Sequence, residues 1–156
     1  MQQLQQGATL QNGKYRIEKV LGQGGFGITY LAMQTVLGNK VAIKELFMQG
    51  INDRHDGMVT VSNNANSNLF AHQKRKFVKE AQRIAGLNNK HIVKVHDMFE
   101  ENNTAYYVMD YIEGESLQDV ITHHHGDLPE SCVKDYLNQI LSALSAMHQN
   151  SIWHLD

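Results

Sequence analysis

The stretch Leu21–Thr29 reads L-G-Q-G-G-F-G-I-T, and the stretch Val41-Ala42-Ile43-Lys44 ends 17 positions after Gly27. A turn made of glycines lets backbone N–H groups approach phosphate oxygens closely, because no Cβ atom stands in the way. Residues that favour strands flank the turn on both sides. This order of strand, glycine-rich turn, strand and strand-terminal lysine is typical of a site that holds nucleotide phosphates.

Two other interpretations of the glycine-rich turn remain open at this point. A dinucleotide-binding unit has the same G-x-G-x-x-G spacing and an acidic residue about 20 positions on, and Glu45 lies near that distance. That unit needs a helix directly after the turn, whereas residues 28–32 are β-branched or aromatic and lead into another turn. The second alternative is a glycine-rich hairpin with a purely structural role.

Composition narrows the class of protein. The chain has 156 residues and 42% hydrophobic content, which suits one domain, or part of one, with a real core. The formal charge of −2 does not indicate a nucleic acid or an anionic membrane as partner. A single cysteine, Cys132, excludes an internal disulfide and favours a reducing, cytoplasmic setting. The N-terminus is unlike a secretory signal, and no run approaches the about 18 apolar residues of a membrane helix.

Periodicity and turn residues predict the order of the elements. Residues 1–13 are polar and rich in glutamine and predict a loose arm, and residues 48–72 predict an excursion that contains a hairpin. Ser116 is expected to cap a short helix and Ser131 a long one. The predicted strands are 15–20, 28–32, 40–46, 92–99 and 104–109, and the predicted helices are 74–87, 116–122 and 132–149.

A lysine and a glutamate each place a charge among the apolar residues of a predicted element. Glu80 lies within the apolar arc of the first helix, beside Phe77 and Ala81, and Lys44 ends an apolar strand. A buried charge is unfavourable without a partner of opposite sign. Taken alone, Lys44 could extend its ammonium group to water. Together, the two residues predict an ion pair across 36 positions of sequence.

With these motifs the chain resembles the eukaryotic-type, or Hanks-type, protein kinases, in their bacterial serine/threonine branch. The motifs are Gly22-x-Gly24-x-x-Gly27-x-Thr29, Val41-Ala42-Ile43-Lys44, Glu80 and His154-Leu155-Asp156. The resemblance runs from about Tyr15 to the last residue. It implies an α+β fold with a kinase N-lobe over residues 14–112, made of a five-stranded antiparallel sheet and one long helix. Residues 113–156 would be the hinge exit and the first two helices of a truncated helical C-lobe.

The resemblance also assigns roles to individual residues. It implies that Lys44 contacts the α- and β-phosphates of ATP and is held by Glu80, and that Asp156 accepts the proton of the substrate hydroxyl. Leu155 stands where the family usually has an arginine. The implied catalytic residues are Asp156, Lys44 and Glu80. The residues implied to bind the nucleotide are Leu21, Gly22, Gln23, Gly24, Gly25, Phe26, Gly27, Ile28, Thr29, Ala42, Lys44, Met109, Asp110, Ile112 and Ser116.

The implied function is the ATP-binding portion of a serine/threonine protein kinase that acts on an unknown protein substrate. The family's Mg²⁺ ligands would lie beyond Asp156, so we expect the 156-residue chain to be inactive by itself. The alternatives are a non-catalytic ATP-binding pseudokinase and an interaction module without nucleotide. We predict no metal site at His123-His124-His125, because consecutive loop residues rarely converge on one ion. We predict self-association through the apolar stripe of helix 132–149.

Overall fold

The computed structural model describes residues 2–153, without the side chains of residues 64 and 65. The chain forms two compact units. The first contains the residues up to Ala85 together with Lys94–Tyr111, and the second contains Gly86–Val93 and the residues from Ile112 onward. The expected kinase-like α+β arrangement is confirmed in outline, since the first unit holds an antiparallel sheet with one long helix and the second holds two helices.

The first unit is built on one antiparallel sheet of six strands in the order β1-β2-β3-β4-β8-β7. A separate two-stranded sheet pairs β5 with β6. The long helix, α1, is Asn64–Ala85. The strands are β1 Thr9–Leu10, β2 Tyr15–Gln23, β3 Gly27–Gln34, β4 Asn39–Leu46, β5 Asn52–His55, β6 Met58–Val61, β7 Val95–Glu101 and β8 Thr104–Asp110.

The N-terminal residues correct one prediction. The sequence predicts a loose arm over 1–13 and five strands, whereas β1 pairs with β2 and makes a sixth. The Gly7 N–H donates to the Ile17 carbonyl at 2.8 Å, and the Ile17 N–H donates to the Ala8 carbonyl at 2.8 Å. Leu10 is only 1% exposed. The glutamine-rich composition conceals this pairing, because the arm is held by backbone hydrogen bonds and by the few apolar side chains Leu4, Ala8 and Leu10.

The excursion after β4 is confirmed as a hairpin but ends earlier than predicted. β5 and β6 are joined by Asp56 and Gly57, whose φ angles of 48° and 84° suit a tight two-residue turn. The predicted start of α1 at residue 74 is wrong, because the helix begins ten residues earlier, at residue 64. The Asn63 side chain accepts a hydrogen bond from the Asn66 N–H at 2.9 Å, and buried Phe70 extends the apolar stripe. Asparagine and serine disfavour helices, which concealed this first part.

The six-stranded sheet curls until its two edge regions meet. The Lys14 ammonium lies 2.6 Å from the Asp97 carboxylate, and the Tyr15 hydroxyl donates to the same carboxylate at 2.9 Å. The Tyr15 ring stacks on Phe99, with centroids 6.0 Å apart. These contacts join β2 to β7. The enclosed face holds much of the core, including Ile17, Ile28, Tyr30, Ile43, Tyr106 and Val108.

The second unit contains two helices, α2 (Leu117–His123) and α3 (Glu130–Gln149). Ser116 caps α2, as predicted. The predicted cap of α3 at Ser131 is wrong, since the N-cap position is Pro129. The Asn89 side chain donates to the Ser142 carbonyl at 3.1 Å and so ties the segment Gly86–Val93 to α3. Among residues 2–153, no helix is long and apolar enough to cross a membrane.

Candidate nucleotide-binding site

The glycine-rich turn joins the end of β2 to the start of β3 and is held by main-chain hydrogen bonds, one within the turn and two from the segment after β4. Leu21, Gly22 and Gln23 close β2, and Gly27 opens β3. Three hydrogen bonds fix the turn: the Gly24 N–H to the Gly27 carbonyl (2.9 Å), the Phe47 N–H to the Phe26 carbonyl (3.3 Å) and the Gln49 N–H to the Gly25 carbonyl (3.0 Å). The side chains of Leu21 and Phe26 remain 41% and 64% exposed, so both are accessible at the rim of the turn.

Gly27 packs so closely on β4 that no other residue fits. A Cβ atom at this position would lie 2.8 Å from the Glu45 carbonyl oxygen, nearer than real Cβ contacts come. The same position is 3.7 Å from the Cε atom of Lys44, so the lysine side chain runs beneath the turn. Around Gly24 and Gly25 the corresponding space is open to 4 Å. The turn is therefore tight against the sheet at one end and free of side chains at its tip.

The predicted ion pair between Lys44 and Glu80 is present. The Lys44 Nζ atom lies 3.3 Å from Oε1 of Glu80, which α1 presents to β4. The side chains are 34% and 48% exposed, so water reaches both groups. Burial tends to lower the pKa of Lys44, but its contacts with Tyr107 and Glu80 outweigh burial and raise the pKa above its ordinary value. The ammonium group is therefore charged at neutral pH.

Tyr107 is a third member of this site that the sequence analysis missed. Its hydroxyl donates to Oε1 of Glu80 at 3.1 Å, and its ring centroid lies 5.5 Å from the Lys44 ammonium. The ring also packs on Phe77 of α1, with centroids 4.9 Å apart. Burial raises the pKa of Tyr107, which keeps the hydroxyl protonated and able to donate. Tyrosine looks like an ordinary strand residue in the sequence, and only the pairing of β4 with β8 places it opposite Lys44.

The strand register gathers several of the predicted nucleotide-binding residues on the face that carries Lys44. Thr29 is the partner of Lys44 across β3 and β4, and Ala42 is the partner of Met109 across β4 and β8. Ala42 and Lys44 lie two positions apart on one strand, so their side chains share a face. Thr29, Ala42, Lys44 and Met109 thus form one continuous surface beside the glycine-rich turn.

Ile28 corrects the prediction for its side chain. It is the partner of Glu45 and is fully buried, at 0% exposure, on the opposite face of the sheet. The reason is the alternation of side chains along a strand, which separates Ile28 from Thr29. Its side chain belongs to the core and cannot contact a nucleotide beside Lys44.

Asp110 ends β8 and holds its strand end in place. Its carboxylate accepts a hydrogen bond from the Lys94 N–H at 3.0 Å and lies 2.6 Å from Nε2 of His96. The Lys94 hydrogen bond lowers the pKa of Asp110, and the contact with His96 adds to this against the effect of burial. The side chain therefore fixes β7 against β8, which leaves the main chain of Asp110 as the part that could meet a ligand.

The remaining predicted residues lie in the second unit or outside the described residues. Ile112 is 67% exposed. The Ser116 hydroxyl accepts from the Asp119 N–H at 3.2 Å and donates to the Asp119 carboxylate at 2.6 Å, so it serves the cap of α2. The assignment of Ile112 and Ser116 to adenine and ribose stays a prediction. Asp156, with its neighbours 154 and 155, lies outside the described residues.

A second charged cluster lies on the other face of β4 and was also missed. Glu45 is fully buried, and its carboxylate accepts hydrogen bonds from Arg54 (2.6 Å), Tyr30 (2.7 Å) and Tyr106 (2.8 Å). The Arg54 side chain is only 5% exposed. We name Glu45, Arg54, Tyr30 and Tyr106 the buried cluster. The sequence offered one signal for this cluster, a carboxylate within the mostly apolar stretch from Val41 to Met48. Its partner could not be predicted, because Arg54 comes from the excursion.

Comparison with known proteins identifies the family. The protein kinase domain matches residues 15–156. The chain belongs to the protein kinase family. It is 37% identical over 145 residues to the serine/threonine-protein kinase PrkC of Bacillus subtilis, covering 93% of this chain and 20% of that protein. It is 33% identical to the serine/threonine-protein kinase pkn2 of Myxococcus xanthus, covering 93% of this chain and 15% of that protein. The chain thus spans a fifth or less of the length of these relatives.

Solved structures share the fold. The structure of the PpkA-294 apo form superposes with a TM-score of 0.92 at 25% identity, over 100% of this chain and 55% of that one. The kinase domain of Mycobacterium tuberculosis PknI superposes with a TM-score of 0.72 at 24% identity, over 99% of this chain and 55% of that one. The likeness to PknI supports the fold alone. Together with the family match, these structures agree with the expected kinase N-lobe and the start of a C-lobe.

Proposed function

We propose that this chain binds ATP and is the nucleotide-binding part of a serine/threonine protein kinase that transfers the γ-phosphate to protein hydroxyls. The observation that carries the proposal is the Lys44 ammonium, held 3.3 Å from Glu80 and directly beneath a glycine-rich turn. A charged ammonium and backbone N–H groups are the donors that phosphate oxygens require. Membership of the protein kinase family supports the same conclusion.

The first unit would supply groups that contact the phosphates and the adenine of ATP. The turn would cover the phosphates, Lys44 would contact the α- and β-phosphates, and the Ala42 and Thr29 side chains would pack against the adenine. Met109 would stand behind it, and the carbonyl of Asp110 would accept from its amino group. Thr29, Ala42 and Met109 lie on the face of the sheet that carries Lys44, which supports this placement.

The transfer step would need groups beyond this unit. In the family, Mg²⁺ neutralises charge on the transferring phosphoryl group. Within residues 2–153, no cluster of three or more His, Cys, Asp or Glu side chains could hold a metal, and we assign no metal ligand there. Asp156 would orient the substrate hydroxyl. We therefore propose that the 156-residue chain binds ATP without transferring phosphate at a measurable rate.

The test is binding of a non-hydrolysable ATP analogue to the 156-residue chain, measured by titration calorimetry. We expect Lys44→Met to weaken binding about tenfold or more, because a hydrogen bond to a charged group contributes about 1.5–3 kcal/mol. Lys19→Met is the matched control, since Lys19 is an exposed lysine on β2, and it should bind like the wild type. Absence of binding by the wild-type chain, or equal binding by Lys44→Met, would contradict the proposal.

We also propose that two copies associate through α3. Its exposed apolar side chains recur at helical spacing and form one stripe: Val133 (39%), Leu137 (51%), Ile140 (47%) and Leu141 (60%). Burying such a stripe is favourable by about 25 cal/mol per Å² before the costs of association. Light scattering should show a dimer that Leu137→Glu with Leu141→Glu converts to a monomer. The control Gln139→Glu changes an exposed residue on the other side of the helix and should keep the dimer. A wild-type monomer at high concentration would refute this.

A further inference from the structure

The N-terminal residues touch the glycine-rich turn directly. Gln23, the last residue of β2, precedes the turn. The Gln3 side chain donates a hydrogen bond from Nε2 to Oε1 of Gln23 at 2.7 Å, and Nε2 of Gln23 donates to Oε1 of Gln2 at 3.1 Å. Gln3 therefore binds the oxygen of the Gln23 side-chain amide and Gln2 binds its nitrogen. The two residues lie 20 and 21 positions before Gln23 in the sequence.

The main chain of residues 2–4 is hydrogen-bonded to side chains of the buried cluster. Nε of Arg54 donates to the Gln2 carbonyl at 2.9 Å, and the Leu4 N–H donates to the Tyr30 hydroxyl at 3.1 Å. Both Arg54 and Tyr30 donate in turn to the fully buried carboxylate of Glu45. Leu4 also packs against the hydrophobic core. The segment is thus fixed at two backbone positions on either side of Gln3.

This arrangement gives the excursion a structural role. Arg54 belongs to β5, and its two terminal nitrogens donate to the Glu45 carboxylate at 2.6 Å and to the Gly57 carbonyl at 2.7 Å. The Nε–H group donates to the Gln2 carbonyl. The hairpin therefore connects the interior of the sheet to the N-terminal segment, which in turn reaches the glycine-rich turn.

The turn offers few other side chains by which its position could be set. Nothing lies within 4 Å of the place where a Cβ would stand on Gly22, Gly24 or Gly25. Its tip is held by main-chain hydrogen bonds alone, whose donors include Phe47 and Gln49. Gln23 is the polar side chain at the point where β2 enters the turn. The hydrogen bonds from Gln2 and Gln3 therefore hold the turn at that point.

We propose that residues Gln2–Leu4 form a strap that holds the glycine-rich turn in position and thereby sets its affinity for nucleotide. Gln2 and Gln3 are positioning residues, since they act through Gln23. A turn that is already placed loses less conformational entropy when a ligand binds, which strengthens binding. The proposal rests on the proposed ATP-binding function and adds an N-terminal determinant of affinity to it.

The experiment compares the 156-residue chain with its Gln2→Ala/Gln3→Ala variant. We expect the variant to bind the ATP analogue about three- to tenfold more weakly, as lost hydrogen bonds would predict. Its melting temperature should stay near the wild-type value. In the absence of nucleotide, amide hydrogen exchange at Gly24, Phe47 and Gln49 should become faster, because these amides donate within and beneath the turn. Gln6→Ala, which changes an exposed glutamine of the same arm, is the matched control and should change neither readout.

A double-mutant cycle separates the strap from a general weakening of the fold. Gln23→Ala alone should weaken analogue binding, and adding Gln2→Ala/Gln3→Ala should weaken it no further. Wild-type affinity and unchanged exchange in Gln2→Ala/Gln3→Ala would overturn the strap, as would full additivity in the cycle. Failure of the wild-type chain to bind the analogue would instead overturn the proposed function, and the exchange rates would still decide whether the strap holds the turn.

Discussion

Lys44 and Glu45 are adjacent residues on β4, and their side chains enter two very different environments. Lys44 faces α1, where its 3.3 Å contact with Glu80 is half-exposed to water. Glu45 faces the enclosed side of the sheet, where it is 0% exposed and lies 2.6 Å from Arg54. Each is assisted by a tyrosine of β8, Tyr107 for the first pair and Tyr106 for the second.

The difference between the two faces separates binding from stability. A half-exposed ion pair is screened by water and contributes about 0–1 kcal/mol to stability, so its lysine remains available to a ligand. A buried carboxylate with three donors depends on every one of them, because no water replaces a lost partner. The same strand thus carries on one face a lysine on which the stability of the fold hardly depends, and on the other face a carboxylate whose partners the fold requires.

The largest expected effect comes from removing the arginine of the buried cluster. Arg54→Met should lower the free energy of unfolding by about 3–5 kcal/mol, because it leaves the Glu45 carboxylate buried without its cation. The measurement is urea unfolding of the 156-residue chain, followed by circular dichroism.

The comparison between the faces is tested with Lys44→Met in the same assay. This variant should lose no more than about 1 kcal/mol, since its partner Glu80 is 48% exposed and is solvated when the lysine is gone. Equal losses in Arg54→Met and Lys44→Met would remove the distinction between the two faces.

The two neighbouring tyrosines of β8 offer a subtler comparison. Tyr106→Phe should lower the free energy of unfolding by about 1.5–3 kcal/mol, because it removes a hydrogen bond to a buried charged group. Tyr107→Phe should cost only about 0.5 kcal/mol, since water can reach Glu80. The second variant should instead weaken binding of the ATP analogue. If both substitutions changed stability equally and left binding unaltered, Tyr107 would have no part in the site.

Alkaline pH gives a loss of stability with a defined sign. Burial raises the pKa of Tyr106, with a further rise from the nearby Glu45 charge, so Tyr106 stays protonated in the fold above its ordinary pKa of about 10. The unfolded chain loses that proton near pH 10, so the stabilising contribution is complete below pH 10 and is lost as pH rises further. One such tyrosine accounts for about 1.4 kcal/mol between pH 9 and pH 11.

Urea unfolding at pH 9 and pH 11 measures this loss. The decrease in the free energy of unfolding should be smaller in Tyr106→Phe than in the wild type. The Lys44 pKa is also raised, so the contribution of that residue is complete below its ordinary pKa of 10.5 and is lost as pH rises from there through the raised value. A loss of stability between pH 9 and pH 11 that is identical in the wild type and Tyr106→Phe would show that Tyr106 does not titrate differently in the two states.

Most of the candidate site could be predicted from local signals. Glycine spacing, a strand that ends in lysine and a glutamate within an apolar arc are all read from neighbouring residues. The same signals failed for the first ten residues of α1, because Asn and Ser weaken the helical pattern there, although Phe70 supports it from the core. They also failed for Ile28, whose place in a motif outweighed the alternation of its strand.

By itself the sequence determined the order of the elements from β2 onward, the glycine-rich turn, the Lys44–Glu80 pair and the resemblance to protein kinases. Each follows from a periodic pattern or motif with a local physical reason. Only the tertiary structure decided the partners of Glu45, the position of Tyr107 and the contact of Gln2 and Gln3 with Gln23. Those partners are brought together by strand register and by the path of the hairpin and the N-terminal segment. Such long-range pairings leave no periodic trace in the chain, because they depend on which elements become neighbours when the core is buried.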